Sequence, residues 1–191
     1  GWASVIAHRG GAALGTTNSM HVMELAAESG ADVVEIDVQE LGDGSLVLFH
    51  DSKIVRGDQV SRLCDVGLEQ FEDLVEGPAT PFSSLADRLP ALGLGLYLDV
   101  KRVTADGLAR IVDVLAESAL SATAVIGSFS SDVVSSVVAD GRLPASLLYH
   151  DRDADPVALA AALGIGIVHP CFDSDPWMVG RMAGPWMERV H

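Results

Sequence analysis

Seven short apolar runs, rich in β-branched residues, alternate with amphipathic stretches along this chain, and that alternation constrains the fold most. The runs cover residues 4–7, 33–38, 46–49, 96–100, 124–127, 146–149 and 164–168. Each has the length of a strand and is too continuously apolar for a sheet with one wet face. Most of the intervals have helical spacing. Residues 19–30 place Met20, Met23, Leu25 and Ala27 among polar neighbours and stop at Gly30, a C-cap residue. Residues 106–120 repeat the pattern through Leu108, Ile111, Val112 and Leu115, and residues 156–163 open with a proline suited to a first helical turn. Gly42-Asp43-Gly44 reads instead as a tight, hairpin-like turn. The pattern predicts an α/β fold, either a parallel barrel or a doubly wound sheet.

The polar residues favour the barrel. His8-Arg9-Gly10 follows the first run, Glu35 and Asp37 lie toward the end of the second, and His50-Asp51 follows the third. Asp99 and Lys101 end the fourth, Ser128 follows the fifth and His169 the seventh. In a barrel all strand C-termini open on one mouth, where sites are built, whereas a doubly wound sheet gathers its site at one switch point.

Size and charge narrow the function. The 191 residues, 49% of them apolar, suit one domain over 1–191. Acidic residues outnumber basic ones 27 to 12, for a net charge of -15. Such a field repels nucleic acid and anionic membrane, and an anionic substrate needs a metal ion or well-placed cations to approach. The two cysteines, Cys64 and Cys171, supply neither a disulfide framework nor a zinc knuckle. No apolar stretch approaches the roughly 20 residues of a membrane span, so no transmembrane segment is expected.

Glu35 and Asp37, two apart on a strand, project from the same face. Neighbouring buried carboxylates repel, which raises a pKa or demands a cation. With Asp99 added, three carboxylates at a barrel mouth describe a hard-cation site for Mg²⁺ or Ca²⁺. His8 and His50 beside that cluster suit an acid–base pair, because imidazoles exchange protons near neutral pH. Arg9 and Lys101 suit the neutralisation of oxygens that the metal does not reach. His150, His169 and Cys171 lie at later strand ends, where they read as capping or buried hydrogen-bonding residues rather than lining of the mouth, Cys171 best as a small core residue. His21 reads as a surface residue, and Trp177 and Trp186 as packing residues.

These residues carry a resemblance. Ile6-Ala7-His8-Arg9-Gly10, Val34-Glu35-Ile36-Asp37-Val38, Asp43-Gly44 with Val47-Leu48-Phe49-His50-Asp51, Asp99-Val100-Lys101 and Ser128-Phe129 are similar to the successive signatures of the glycerophosphodiester phosphodiesterase family. The resemblance implies a (β/α)₈ TIM-type barrel that cleaves a small-molecule phosphodiester with one divalent cation. It implies Glu35, Asp37 and Asp99 as metal ligands, His8 and His50 as the catalytic pair, and Arg9 and Lys101 as phosphate-binding residues. In the implied mechanism a neighbouring substrate hydroxyl attacks phosphorus, one histidine takes its proton, and the other protonates the leaving alcohol.

The chain departs from the family pattern in four places. Thr16-Thr17-Asn18-Ser19 stands where the family has Pro-Glu-Asn-Thr, so the glutamate is replaced by Thr17. Asp99 stands where bacterial members usually carry glutamate, which resembles the related sphingomyelinase D-like enzymes. Arg56 aligns with a family arginine, but the Thr-Thr after it and the insertion that recognises glycerol are absent. The fourth departure is that the chain ends at His191, ahead of a final strand. The reading therefore keeps a lyase or phosphotransferase giving a cyclic or transferred phosphate, and a non-catalytic phosphoester-binding barrel, beside hydrolysis. Seven runs against the eight strands of a closed barrel lead to one further expectation: a partner chain or a missing C-terminal segment closes the barrel.

Overall fold

The computed structural model describes residues 4–150 and 155–171. In chain order its elements are β1 (Ile6–Ala7), α1 (Met20–Glu28), β2 (Val33–Glu40), β3 (Leu46–Leu48), β4 (Lys53–Arg56) and β5 (Gln59–Arg62). There follow α2 (Leu68–Val75), α3 (Leu85–Ala91), β6 (Gly95–Val100), α4 (Ala105–Ala116), β7 (Ala124–Ser128), α5 (Ser131–Asp140), β8 (Ala145–Tyr149), α6 (Pro156–Leu163) and β9 (Val168–Pro170). Strands pair in the order β1-β2-β6-β7-β8-β9, every neighbour parallel, which makes a half-barrel clad in helices.

The helices form where apolar spacing and caps agree. The Ser19 hydroxyl accepts from the Val22 amide at the start of α1, and Gly30, at φ 86°, takes the left-handed turn beyond its end. Thr104 caps α4 in the same way through the Gly107 amide, and Leu108, Ile111, Val112 and Leu115 on one face of α4 are buried. The expected helix over 106–120 ends at Ala116, and a 3₁₀ turn over Ala119–Ala122 completes the interval.

Two of the apolar runs behave differently from the expectation. The third, β3, pairs antiparallel with the end of β2, Val38 opposite Leu48 and Glu40 opposite Leu46. A two-stranded return is what the Asp43-Gly44 turn enforces: Gly44 sits at φ 87° and the Asp43 carboxylate accepts from the Ser45 amide. Among the described residues the main sheet thus holds six parallel strands and one antiparallel extension, not seven barrel strands. The seventh run is displaced: Gly164 caps α6 at φ 72° and the strand occupies Val168–Pro170. The β4–β5 hairpin lay outside the predicted elements, because its residues are mostly exposed and lack an apolar period. Trp177, Trp186 and the chain end at His191 lie outside the described residues.

Period-two alternation sorts the strand faces. Val34, Ile36 and Val38 of β2 and Leu96, Leu98 and Val100 of β6 join the main apolar core. The intervening residues Glu35, Asp37 and Gln39, with Tyr97 and Asp99, lie on the other face of the sheet. Register sets Glu35 opposite Tyr97 and Asp37 opposite Asp99. Gly127 of β7 leaves room on that face for Tyr97 and Leu148: a Cβ there would lie 2.6 Å from the Tyr97 hydroxyl and from Leu148 Cδ1. The Tyr97 hydroxyl donates to Ser146 Oγ at 2.7 Å, satisfying its polar end inside the half-barrel.

Candidate metal and phosphate site

Strand pairing alone brings the three carboxylates together. Glu35, Asp37 and Asp99 are all buried, and each offers an oxygen within 4.8 Å of the others. Strands β2 and β6 hold them rigidly, and the loops after the strands supply the cations. Lys101, just past β6, places Nζ 3.1 Å from Asp37 Oδ1 and pairs also with Asp99 Oδ2. Arg9 adopts a left-handed backbone, φ 51°, that lets its amide donate to Glu35 Oε2 at 2.8 Å. Its Nε lies 3.8 Å from Asp37 Oδ2.

The electrostatics are those of crowded, dehydrated acids. Burial, reinforced by Asp37, pushes the Glu35 carboxyl up to about 7. Burial also raises Asp99, against the opposing pull of Lys101. Burial alone would lower the Lys101 pKa, but Asp99 and Asp37 outweigh it and hold the ammonium above its ordinary range. Among the described residues, the buried Asp99 Oδ1 and Arg9 Nε find no hydrogen-bond partner. An unpartnered carboxylate oxygen inside a set of three hard oxygen donors fits a divalent cation.

The histidines flank this cluster. His8 is largely exposed, with Nε2 3.8 Å from Glu35 Oε2. His50, after β3, pairs through Nδ1 with Asp51 Oδ1 at 2.7 Å. Of the other candidates, His21 is exposed on α1. His150 stacks on Phe129, whose ring lies 5.5 Å from Lys101 Nζ. His169 packs edge-on against Tyr97, and burial, then His8, lowers its pKa. Ser128 is a tie between strands, its hydroxyl donating to the Val100 carbonyl at 2.7 Å. Both cysteines are free thiols.

Two residues escaped the sequence reading. Asn18 is buried at φ 58°; its side chain donates to Asp37 Oδ2 at 3.0 Å and accepts from the Asp37 amide at 3.2 Å. Thr17 beside it is exposed. The buried Gln39 turns Nε2 toward the carbonyls of Phe49, His50 and Asp51, at 2.8 to 3.0 Å, and so fixes the backbone that carries His50. Gln39 continues the Glu35-Asp37 alternation, and that spacing was the available signal.

A parallel half-barrel with a buried acidic cluster on the strand face opposite the main apolar core defines a TIM-barrel type of protein. Comparison with known proteins narrows the class. The model of the glycerophosphoryl diester phosphodiesterase family matches residues 8–172, and the chain belongs to that family. It is 43% identical over 72 residues to glycerophosphodiester phosphodiesterase 1 of Bos taurus, covering 37% of this chain and 22% of the relative. It is 38% identical over 76 residues to a glycerophosphodiester phosphodiesterase of Bacillus altitudinis, covering 40% and 30%. The matched segments therefore span less than a third of either relative. In fold it resembles a glycerophosphodiester phosphodiesterase of Parabacteroides distasonis, with a TM-score of 0.77 at 21% identity over 98% of this chain and 79% of that one. It also resembles an Oleispira antarctica phosphodiesterase solved with the product sn-glycerol-3-phosphate, with a TM-score of 0.76 at 22% identity over 94% and 80%.

Proposed function

We propose that this chain cleaves glycerophosphodiesters, or closely related phosphodiesters, with one divalent cation and a pair of histidines. The observation that carries the reading is the buried triad of Glu35, Asp37 and Asp99, with its unpartnered oxygen, beside Lys101 and flanked by His8 and His50. Family membership and the product complex of the Oleispira relative support the choice of substrate class. Glu35, Asp37 and Asp99 would hold the cation, Mg²⁺ or Ca²⁺, which when bound draws charge from the non-bridging phosphate oxygens.

The chain's own residues do the rest. Arg9 and Lys101 bind the phosphate oxygens, and the carboxylates that hold them in place also restrain their side chains. One of His8 and His50 takes the proton of the attacking oxygen as its bond to phosphorus forms. The other gives a proton to the alcohol oxygen as its bond to phosphorus breaks, so charge balances across the step. Hydrolysis consumes one water and yields a phosphomonoester and an alcohol.

The test is phosphorus NMR of the full chain with a glycerophosphodiester and added Mg²⁺ or Ca²⁺. A monoester growing only with metal present is the expected result. A cyclic phosphate appearing first assigns the chain to the cyclising route. Substrate that binds and stays intact assigns it to the non-catalytic one.

A further inference from the structure

Of the 12 lysines and arginines, Arg152, Arg181 and Arg189 fall outside the described residues. Among the rest, Arg9, Arg56, Arg88, Lys101, Arg110 and Arg142 each pair with a carboxylate. Lys53, Arg62 and Arg102 have no ion-pair partner among the described residues, and all three line a single cavity of about 510 Å³. In a chain of net charge -15, unpaired cations have many carboxylates to choose from. Their gathering in one place is therefore informative.

The backbone forces the gathering. Lys53 and Arg62 face each other across the β4–β5 hairpin. Like charges directly opposite on paired strands repel, a cost that an anion between them removes. Arg102 closes the third side: its carbonyl accepts from the Glu40 amide at 2.9 Å, which fixes it against the end of β2. Among the described residues Glu40 is the one carboxylate on the wall. The Thr104 amide at 2.5 Å and Arg110 at 2.9 Å occupy its oxygens. Gln39 lines the same cavity while holding the carbonyl of His50, so the cavity adjoins the loop of a proposed catalytic residue.

We propose that this cavity binds an oxyanion, phosphate or carboxylate, through Lys53, Arg62 and Arg102. The anion is carried at the far end of the diester's alcohol or is free in solution. The first source rests on the phosphodiesterase reading, and anion binding itself does not. Guanidinium pairs favour such groups because their donors match two oxygens at once.

The experiment compares the full chain with the Lys53→Gln/Arg62→Gln/Arg102→Gln variant in two measurements. Calorimetric titration with inorganic phosphate should show binding weakened about tenfold or more in the variant, and weakened by salt in the parent. Turnover should then be measured on a glycerophosphodiester whose alcohol ends in a phosphate monoester and on one ending in a hydroxyl. A rise in KM confined to the charged substrate, with kcat unchanged, assigns the cavity to the substrate's far end. Weakened phosphate binding without that discrimination assigns it to a free oxyanion. Equal phosphate binding and equal KM for both chains overturn the proposal. If neither diester is turned over by the parent, the catalytic reading fails while the titration still decides the cavity. Should the triple variant not fold, Arg62→Gln and Arg102→Gln singly should each weaken phosphate by about threefold to fivefold.

Discussion

At the scale of single residues, Glu35 carries the sharpest consequence. Its carboxyl titrates near 7 when the site holds no cation, against an ordinary value of 4.5. The folded state then binds a proton that the unfolded chain has released, so stability is present below about pH 4.5 and is lost as pH rises through 7. The loss approaches roughly 3 kcal/mol. Chelator-treated protein should therefore melt lower at pH 8 than at pH 5.5, and Glu35→Gln should flatten that slope. A parent slope unchanged in Glu35→Gln would move the titration to another group. In the proposed mechanism the histidines act on rate instead. His8→Ala and His50→Ala should each lower kcat by about 10²–10⁴. The double variant should cost far less than the product of the two if the pair works as a unit, as proposed. Near-normal turnover in either single variant would remove that histidine from the mechanism.

At the scale of elements, the two faces of the strands divide the labour. One face of β2 and β6 is apolar and seats the helices. The other carries Glu35, Asp37, Gln39, Tyr97 and Asp99, all buried. Filling that second face depends on Gly127 in β7, whose missing side chain admits Tyr97 and Leu148. Gly127→Ala should push β7 against β6 and β8 and destabilise the fold by about 1–3 kcal/mol, with a lowered denaturant midpoint as the readout. An unchanged midpoint would mean that Tyr97 has room to move. The elements also explain why β3 left the barrel path. Its three residues are joined to β2 by a tight turn, and a parallel pairing needs a crossover of a dozen or more residues.

At the scale of the whole molecule, the cation proposed between β2 and β6 would link binding to folding. A ligand that binds only the folded state stabilises it by about 2.7 kcal/mol at a hundred times its Kd. Adding Mg²⁺ or Ca²⁺ at neutral pH should therefore raise the melting temperature of chelator-treated protein by several degrees. Asp99→Asn should abolish that increment, and an increment that survives it would place the cation elsewhere. The net charge of -15 also shapes encounter with substrate. In the proposed function an anionic diester is drawn toward the few places where cations gather: Lys101 and Arg9 once a divalent cation offsets the three carboxylates, and the hairpin that carries Lys53 and Arg62.

Much of the architecture was legible in the order of residues, because burial writes its period into a chain. Alternating apolar runs and helical spacing marked the parallel strands and helices α1, α4 and α6, and the Glu35-Ile36-Asp37 spacing put two carboxylates on one face. Sequence spacing could not say that Asp99 stands opposite Asp37, since register is set by pairing between strands far apart in the chain. Spacing put Gln39 on the face of Glu35 and Asp37, but neither its hold on the carbonyls around His50 nor the reach of Asn18 to the Asp37 carboxylate could be read from it. Such bonds join residues that only chain reversal brings together. The gathering of Lys53, Arg62 and Arg102 has the same origin: they are scattered in sequence, and a hairpin and a strand end converge to place them on one cavity.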